Sequence, residues 1–226
     1  MVGPIDRLKE TYPKLEAQIE AIAANVQALS KVEEAIYLKT GNRIFMSTQP
    51  VLGILTRIYQ YTVSFVYDCG TQNYNGANAD IRCVAETICA AYWLIEKPTR
   101  MISLTSANVS TGKILNCGYR ADPRIKDIYA ETSDIVHCRP DSFPLYPVII
   151  AETGQKRWTA LRLGWSEYRA EEAITRMKIL HSIFSDAAAK IVELDKHYYT
   201  QGDLLADQET ISGAFVCRGY QPRQSG

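Results

Sequence analysis

The sequence predicts a mainly α-helical bundle of about five helices, with a small β-hairpin inserted before the last long helix. Apolar residues recur every three or four positions over several long stretches, as on the buried face of a helix. Pro, Gly and Asn cluster between those stretches, where helices begin and end. We therefore expect one helical domain over residues 1–199, with a hairpin insertion at 143–164 and a polar C-terminal tail at 200–226.

The first two long helices are predicted at Lys14 to Lys39 and at about Thr48 to Tyr67. Pro50 fits the first turn of the second helix, where a missing amide proton costs nothing. The segment from Thr40 to Asn42 contains a glycine that can end the first helix. These two helices should supply one side of the bundle.

The third helix is predicted from Ala79 to Glu96, with Asn78 as its N-cap. The segment from Cys69 to Asn78 is rich in Gly and Asn and is predicted to be a turn. The periodic pattern weakens between Thr99 and Asp122, so that a short helix at most, followed by irregular chain, is expected there.

The C-terminal half contains two further predicted helices. Asp122 and Pro123 open the first of them, which carries Tyr129 and His137. Two segments of alternating β-branched and aromatic residues, within 143–151 and 158–163, predict the hairpin. The last helix should run from Ser166, its N-cap, to about Tyr199.

The composition excludes several classes of protein. The 25 basic and 25 acidic residues cancel, which argues against a surface built as a whole to attract nucleic acid or anionic membrane. The six cysteines form no CxxC pair, and no apolar run is long enough to span a bilayer. We expect a cytoplasmic protein without a membrane partner. No phosphate-binding glycine loop or metal-ligand spacing occurs, so we expect neither a cofactor nor a metal.

Three polar residues, Tyr129, Ser133 and His137, are spaced four apart on one predicted helix and should form a single stripe. An imidazole titrates near neutral pH, which suits His137 to general acid–base catalysis. The alternative is that His137 caps the helix end or hydrogen-bonds a neighbouring helix. Tyr129 and Ser133 could orient the imidazole, bind an anion or satisfy one another.

Two further pairs of residues carry candidate chemistry. Arg82 and Glu86 are four residues apart on the third helix, where they form either a surface ion pair or, if partly buried, part of a site. Arg176 and His181 on the last helix form an R-x4-H pattern, a short motif that is weak by itself. The catalytic candidates are therefore His137, Arg82, Glu86, Tyr129 and Ser133, with Arg176 and His181 as a second pair.

Two segments carry a resemblance to a known family. The helix IRCVAETICAAYWLIEKP resembles the R-x3-E helix of DUF5677-like proteins, an all-helical group of HEPN-like architecture. The segment IYAETSDIVHCRP resembles their Y-x3-S-x3-H-x-x-P segment. The likeness covers roughly Asp80 to Pro140, and it implies that Arg82, Glu86, Tyr129, Ser133 and His137 converge between two adjacent helices.

The resemblance implies two competing functions. Many HEPN-like proteins act in defence, toxin or RNA-processing systems, either as ribonucleases or as non-catalytic partners. The first hypothesis is therefore an RNA- or nucleotide-directed protein, in its sharpest form a ribonuclease of a prokaryotic defence or toxin module. The second is a non-catalytic module for protein interaction or oligomerisation, with a protein partner or a second copy of the chain. No arginine lies four to six residues before His137, so Arg176 and His181 are the literal match to the ribonuclease pattern.

Overall fold

The computed structural model describes residues 3–39, 48–97, 110–137, 146–149, 156–159 and 167–201. The chain is mainly α-helical, as predicted. Over these ranges it forms seven α-helices, more than the five expected, and two short strands. The helices are α1 Pro4–Thr11, α2 Glu16–Lys39, α3 Thr48–Gly70, α4 Tyr74–Glu96, α5 Thr111–Ala121, α6 Pro123–Val136 and α7 Glu167–Gln201.

Helix α4 lies at the centre of the described structure. It packs against α3, α5, α6 and α7, and α1 and α2 pack against α3. Its inward positions are completely buried, as at Ile81, Val84 and Ile88. Burying side chains of this size stabilises the fold by roughly 1.5–3 kcal/mol each. Polar residues at the edge of this buried stripe are therefore held in fixed places.

The predicted start of α4 is wrong. Asn73 caps the helix, because its side-chain oxygen accepts a hydrogen bond from the Gly76 amide at 3.2 Å. Asn78 is instead buried inside the helix, where its side chain donates to the Tyr74 carbonyl at 2.8 Å. The inter-helix turn is only three residues, and Gln72 adopts φ of 60° within it.

The expectation of irregular chain before Asp122 is also wrong. Residues 111–121 form α5, which packs against α4 and α6. Gly118 makes this close packing possible, because a Cβ at that position would lie 2.9 Å from the Cα of Cys89 on α4. Helix α1 was not predicted either. It buries Leu8, and Tyr12 follows it into the core.

Asp122 caps α6 as predicted, since its carboxylate accepts from the Arg124 amide at 3.0 Å and Pro123 opens the helix. Within the proposed insertion at 143–164, the structure describes two four-residue strands, β1 Tyr146–Ile149 and β2 Lys156–Thr159. They pair antiparallel, with Tyr146 opposite Thr159. The predicted cap Ser166, the helix end at 40–42 and the tail beyond 201 lie outside the described residues.

Among the helices of the described segments, none combines enough length with enough apolar character to cross a bilayer.

Candidate functional site

The candidate site lies where α4 meets α6. Arg82 and Glu86 occupy successive turns of α4 at the edge of its buried stripe. On α6, Ile125, Ile128 and Thr132 are buried and fix which face of the helix turns inward. Helical spacing then places Tyr129 beside α4, and His137 follows immediately after the last turn.

Four of the predicted residues are brought together around the Arg82 guanidinium. Its Nε donates to Glu86 Oε1 at 3.2 Å, and its Nη2 donates to the Tyr129 hydroxyl at 3.0 Å. Its Nη1 lies 2.7 Å from His137 Nε2. The guanidinium carbon is 5.0 Å from the centre of the Tyr129 ring, a cation–π distance. We call Arg82, Glu86, Tyr129 and His137 the Arg82 cluster.

The contact between Arg82 and His137 fixes the form of the imidazole. A guanidinium has five N–H donors, no acceptor, and a charge that is never lost in proteins. A separation of 2.7 Å is a hydrogen bond only if Nε2 of His137 carries a lone pair. In this geometry His137 is therefore neutral, with its proton on Nδ1, and its Nε2 is a base.

Tyr129 has a proton to donate. Its oxygen accepts a hydrogen bond from Arg82, so the hydroxyl proton is not used in that contact. A phenol in this position can donate to an acceptor that binds beside Arg82. The cluster therefore combines a fixed cation, a neutral base and a hydroxyl donor.

The cluster faces solvent on one side. The Arg82 side chain is 21% exposed, that of Glu86 is 37% exposed, and His137 is exposed. Partial burial lowers the pKa of Arg82, but Tyr129 and Glu86 raise it by more, so that the pKa is raised overall. Partial desolvation also strengthens the field of this cation at its open side.

Ser133, the fifth predicted residue, makes no side-chain hydrogen bond in the described structure. Its Oγ is buried between the turns that carry Tyr129 and His137. Its backbone does contribute, because the His137 amide donates to the Ser133 carbonyl at 2.9 Å. Ser133 therefore holds the backbone of His137, while its hydroxyl is left unsatisfied.

The second predicted pair, Arg176 and His181, is not brought together. His181 is only 2% exposed, and its Nε2 lies 2.9 Å from the Thr62 hydroxyl. That hydroxyl donates its one proton to the Ile58 carbonyl at 2.7 Å, so His181 Nε2 must be the donor to Thr62. Burial lowers the pKa of His181 to about 4. It is a neutral core residue.

The Arg176 side chain is only 16% exposed and lies in acidic surroundings. Its Nη2 is 2.9 Å from Glu131 and 3.9 Å from Glu172. It lines a shallow depression of about 360 Å³, all on α7, together with Tyr168, Glu171, Glu172 and Thr175. Neighbouring carboxylates repel an anion, so this depression is poorly suited to phosphate.

Sequence reasoning missed the aromatic residues around the cluster. The Tyr119 ring on α5 lies 6.2 Å from that of Tyr129, and burial, with Cys89 next in effect, raises its pKa to about 12. Cys83 of α4 is the main cause of the raised pKa of Tyr61, which lies on α3. The spacing of Ile114, Leu115, Cys117 and Gly118 is helical and could have indicated α5.

Within the described ranges, no three His, Cys, Asp or Glu side chains lie close enough together to hold a metal ion. Comparisons with protein-family models, with curated proteins and with solved structures found no match to this chain. The Arg82 cluster is therefore the feature of the chain from which a function can be inferred.

Proposed function

We propose that this protein is a HEPN-like, RNA- or nucleotide-directed protein that cleaves RNA without a metal, as part of a prokaryotic defence or toxin module. The Arg82 cluster is its active site in this proposal. The observation that carries it is the 2.7 Å contact of a permanent cation with a neutral, exposed imidazole. Attack by a ribose 2′-hydroxyl on the adjacent phosphate needs both a base and a cation. The resemblance of the two helices to DUF5677-like proteins supports the grouping of these residues into one site, although that family itself has no settled activity.

The reaction assigns one task to each group. The phosphate draws Arg82 Nη1 away from His137, whose Nε2 accepts the proton of the 2′-hydroxyl. The 2′-oxygen bonds to phosphorus, and the bond from phosphorus to the 5′-oxygen breaks. The leaving 5′-oxygen takes the hydroxyl proton of Tyr129, which solvent replaces, and His137 loses its proton to solvent. The products are a 2′,3′-cyclic phosphate and a 5′-hydroxyl.

Arg82 and Glu86 act by position and charge. Arg82 stabilises the charge that develops on the phosphate oxygens. In other enzymes, the loss of a single donor of this kind lowers the rate by about 10²–10³. Glu86 accepts from Nε, which leaves the two Nη atoms directed at Tyr129, His137 and the open side. It is a positioning residue.

The test is cleavage of end-labelled single-stranded RNA in the presence of a chelator. We expect products that end in a 2′,3′-cyclic phosphate and no cleavage of DNA. His137→Gln retains an acceptor for Arg82 but no base, and it should lose at least about a hundredfold in rate. Lys126→Gln, at an exposed position of the same helix, is the matched control and should cleave normally.

Failure of the intact protein to cleave any RNA tried would overturn the proposal. Equal rates for His137→Gln and the control would show that another group is the base.

A non-catalytic interaction module is the second candidate function. It is favoured by three exposed apolar residues on α3, Tyr59, Val63 and Tyr67. In that case the Arg82 cluster would only hold α4 and α6 in register. Loss of thermal stability in Arg82→Gln, with no RNA cleavage by the intact protein, would favour this function.

A further inference from the structure

Helix α4 exposes a strip of its surface between α3 on one side and α6 on the other. On the α6 side, Arg82 contacts Tyr129 of that helix. On the α3 side, Cys83 lies beside the hydroxyl of Tyr61, which is on α3. Helical spacing places Glu86 between these two sides, and its side chain is 37% exposed. Helices α3 and α6 are therefore the walls of a shallow groove, and α4 is its floor. We call it the α4 groove.

The α3 wall of the groove carries a cation and an aromatic ring. Arg57 and Tyr61 are four residues apart, so they share the face of α3 that meets Cys83. Cys83 is the main cause of the raised pKa of Tyr61 and Arg57 opposes it, which places both groups close to the phenol. Arg57 is exposed, and among the described residues no carboxylate forms an ion pair with it. Its charge is therefore open to an anion in the groove.

Arg57 also decides the sign of the charge in the α4 groove. Glu86 accepts from Arg82 at 3.2 Å and offsets the charge of that guanidinium. The His137 imidazole is neutral in its contact with Arg82. The Arg82 cluster by itself is therefore close to neutral, and it attracts a polyanion only weakly from a distance. With Arg57 on its wall, the groove carries a net positive charge.

The other end of the contact between α3 and α4 is acidic. Asp80 of α4 lies beside Ser64 and Asp68 of α3. Asp80 is only 8% exposed, and its Oδ2 has no hydrogen-bond partner within the described structure. Asp68 lies about 16 Å along α3 from Arg57. Carboxylates repel phosphate, so a strand held at the Arg82 cluster would extend toward Arg57 and away from Asp68.

We propose that Arg57 and Tyr61 form a subsite for single-stranded RNA beside the Arg82 cluster. Arg57 binds a phosphate close to the scissile one, and the Tyr61 ring stacks on an unpaired base. The proposal rests on the proposed function, because the scissile phosphate at Arg82 positions the strand. Proteins that bind single strands combine cations with aromatic rings in this way. The subsite touches no reacting atom, so it strengthens binding without acting on the chemical step.

Fluorescence anisotropy with an uncleavable 2′-deoxy-substituted single-stranded RNA measures the contribution of Arg57. Arg57→Gln should weaken binding about tenfold and reduce the dependence of log Kd on log salt by about one unit of slope. The loss should fall on affinity, with little change in the cleavage rate at saturating RNA. Lys178→Gln removes an exposed cation from α7 and is the matched control, with unchanged affinity and salt dependence.

Two substitutions of Tyr61 separate base stacking from a structural role. Tyr61→Leu removes the ring and should weaken RNA binding about tenfold. Tyr61→Phe keeps the ring but removes the hydroxyl beside Cys83, and it should bind within about twofold of the unaltered protein. Equal losses of affinity in the two variants would overturn the stacking role.

The combined outcomes distinguish this subsite from the proposed function. If the intact protein cleaves RNA, but Arg57→Gln and Tyr61→Leu bind it as tightly as the control, the subsite is overturned and the proposed function stands. If RNA binds without being cleaved and its affinity depends on Arg57, the subsite is supported and the proposed function fails. Absence of RNA binding by the intact protein would overturn both.

Discussion

Two Arg/His pairs in this chain have opposite surroundings. Arg82 and His137 come from different helices, 55 positions apart, yet their nitrogen atoms lie 2.7 Å apart at the surface. Arg176 and His181 lie on one helix, but the first pairs with surface carboxylates and the second with Thr62 in the core. Five residues along a helix rotate the side chain by about 140°, which separates the second pair. Although Arg176 and His181 are closer in the sequence, they do not form one site.

The comparison also distinguishes the two imidazoles chemically. His137 Nε2 accepts from Arg82, whereas His181 Nε2 donates to Thr62. Both rings are neutral in these contacts, but they carry the proton on opposite nitrogens. Only His137 presents a lone pair next to a cation on an open surface.

Arg82→Lys should have the largest effect, and it tests whether the Arg82 cluster differs from the Arg176 and His181 pair in function. A lysine keeps the charge but cannot donate to Glu86, Tyr129 and His137 together, because its ammonium is a single point. We expect a loss of about 10²–10³ in RNA cleavage rate with little change in thermal stability. Arg124→Lys, at an exposed site on α6, should lose almost nothing in the same assay. Equal losses in the two variants would contradict the role of the planar Arg82 guanidinium as a donor to several partners at once.

The second prediction concerns His181 and pH. Its pKa is about 4 in the folded protein and about 6.5 in the unfolded chain, so between these values the unfolded chain binds more protons. The contribution of neutral His181 to the free energy of unfolding is complete above pH 6.5 and is lost as pH falls. In full it amounts to about 3 kcal/mol. Denaturant titrations at several pH values measure it.

His181→Leu should flatten that part of the pH profile, and His137→Gln should leave it in place. If His137→Gln flattened the profile instead, the assignment of the two histidines would be reversed.

Gly118→Ala should destabilise the packing of α5, the helix that carries Tyr119, against α4. The added methyl would meet the Cys89 backbone at 2.9 Å, so α5 must move away from α4. Overpacking of this kind costs about 2 kcal/mol in the free energy of unfolding. Gly112→Ala, on the same helix with nothing within 4 Å of the new methyl, is the matched control. A fully stable Gly118→Ala protein would show that this helix contact is not close.

Asp122→Ala should have the smallest effect. It removes the N-cap of α6 and the contacts with Arg124, and we expect a loss of about 1 kcal/mol in stability. Asp127→Ala, at an exposed position within the helix, should cost less. Calorimetry of the two variants separates the cap from a general effect of lost charge.

Much of this arrangement follows from local patterns. The spacing of Tyr129 and His137 on one helix, and of Arg82 and Glu86 on another, predicts two polar stripes. The prediction that these stripes converge came from the family resemblance, because helical periodicity does not reveal which helices are neighbours. Asn78 was misplaced because Asn is favoured at caps, although here the buried face begins earlier, at Tyr74.

Other features could not be predicted from local patterns. The spacing within residues 111–121 could have indicated α5, but not that Gly118 brings this helix close enough to α4 to place Tyr119 beside Tyr129. The burial of His181 depends on Thr62, which is 119 positions away in the sequence. The directions of the hydrogen bonds, and therefore the protonation of both histidines, appear only when the partners are known.

The most direct test of the Arg82 cluster as an RNA site is ¹⁵N NMR of the histidine side chains. In the free protein at neutral pH, Nε2 of His137 should be unprotonated and Nε2 of His181 protonated. Addition of an uncleavable 2′-deoxy-substituted RNA should shift the His137 nitrogens and leave those of His181 unchanged. A protonated Nε2 on His137 in the free protein, or no shift of its signals at saturating RNA, would contradict the account.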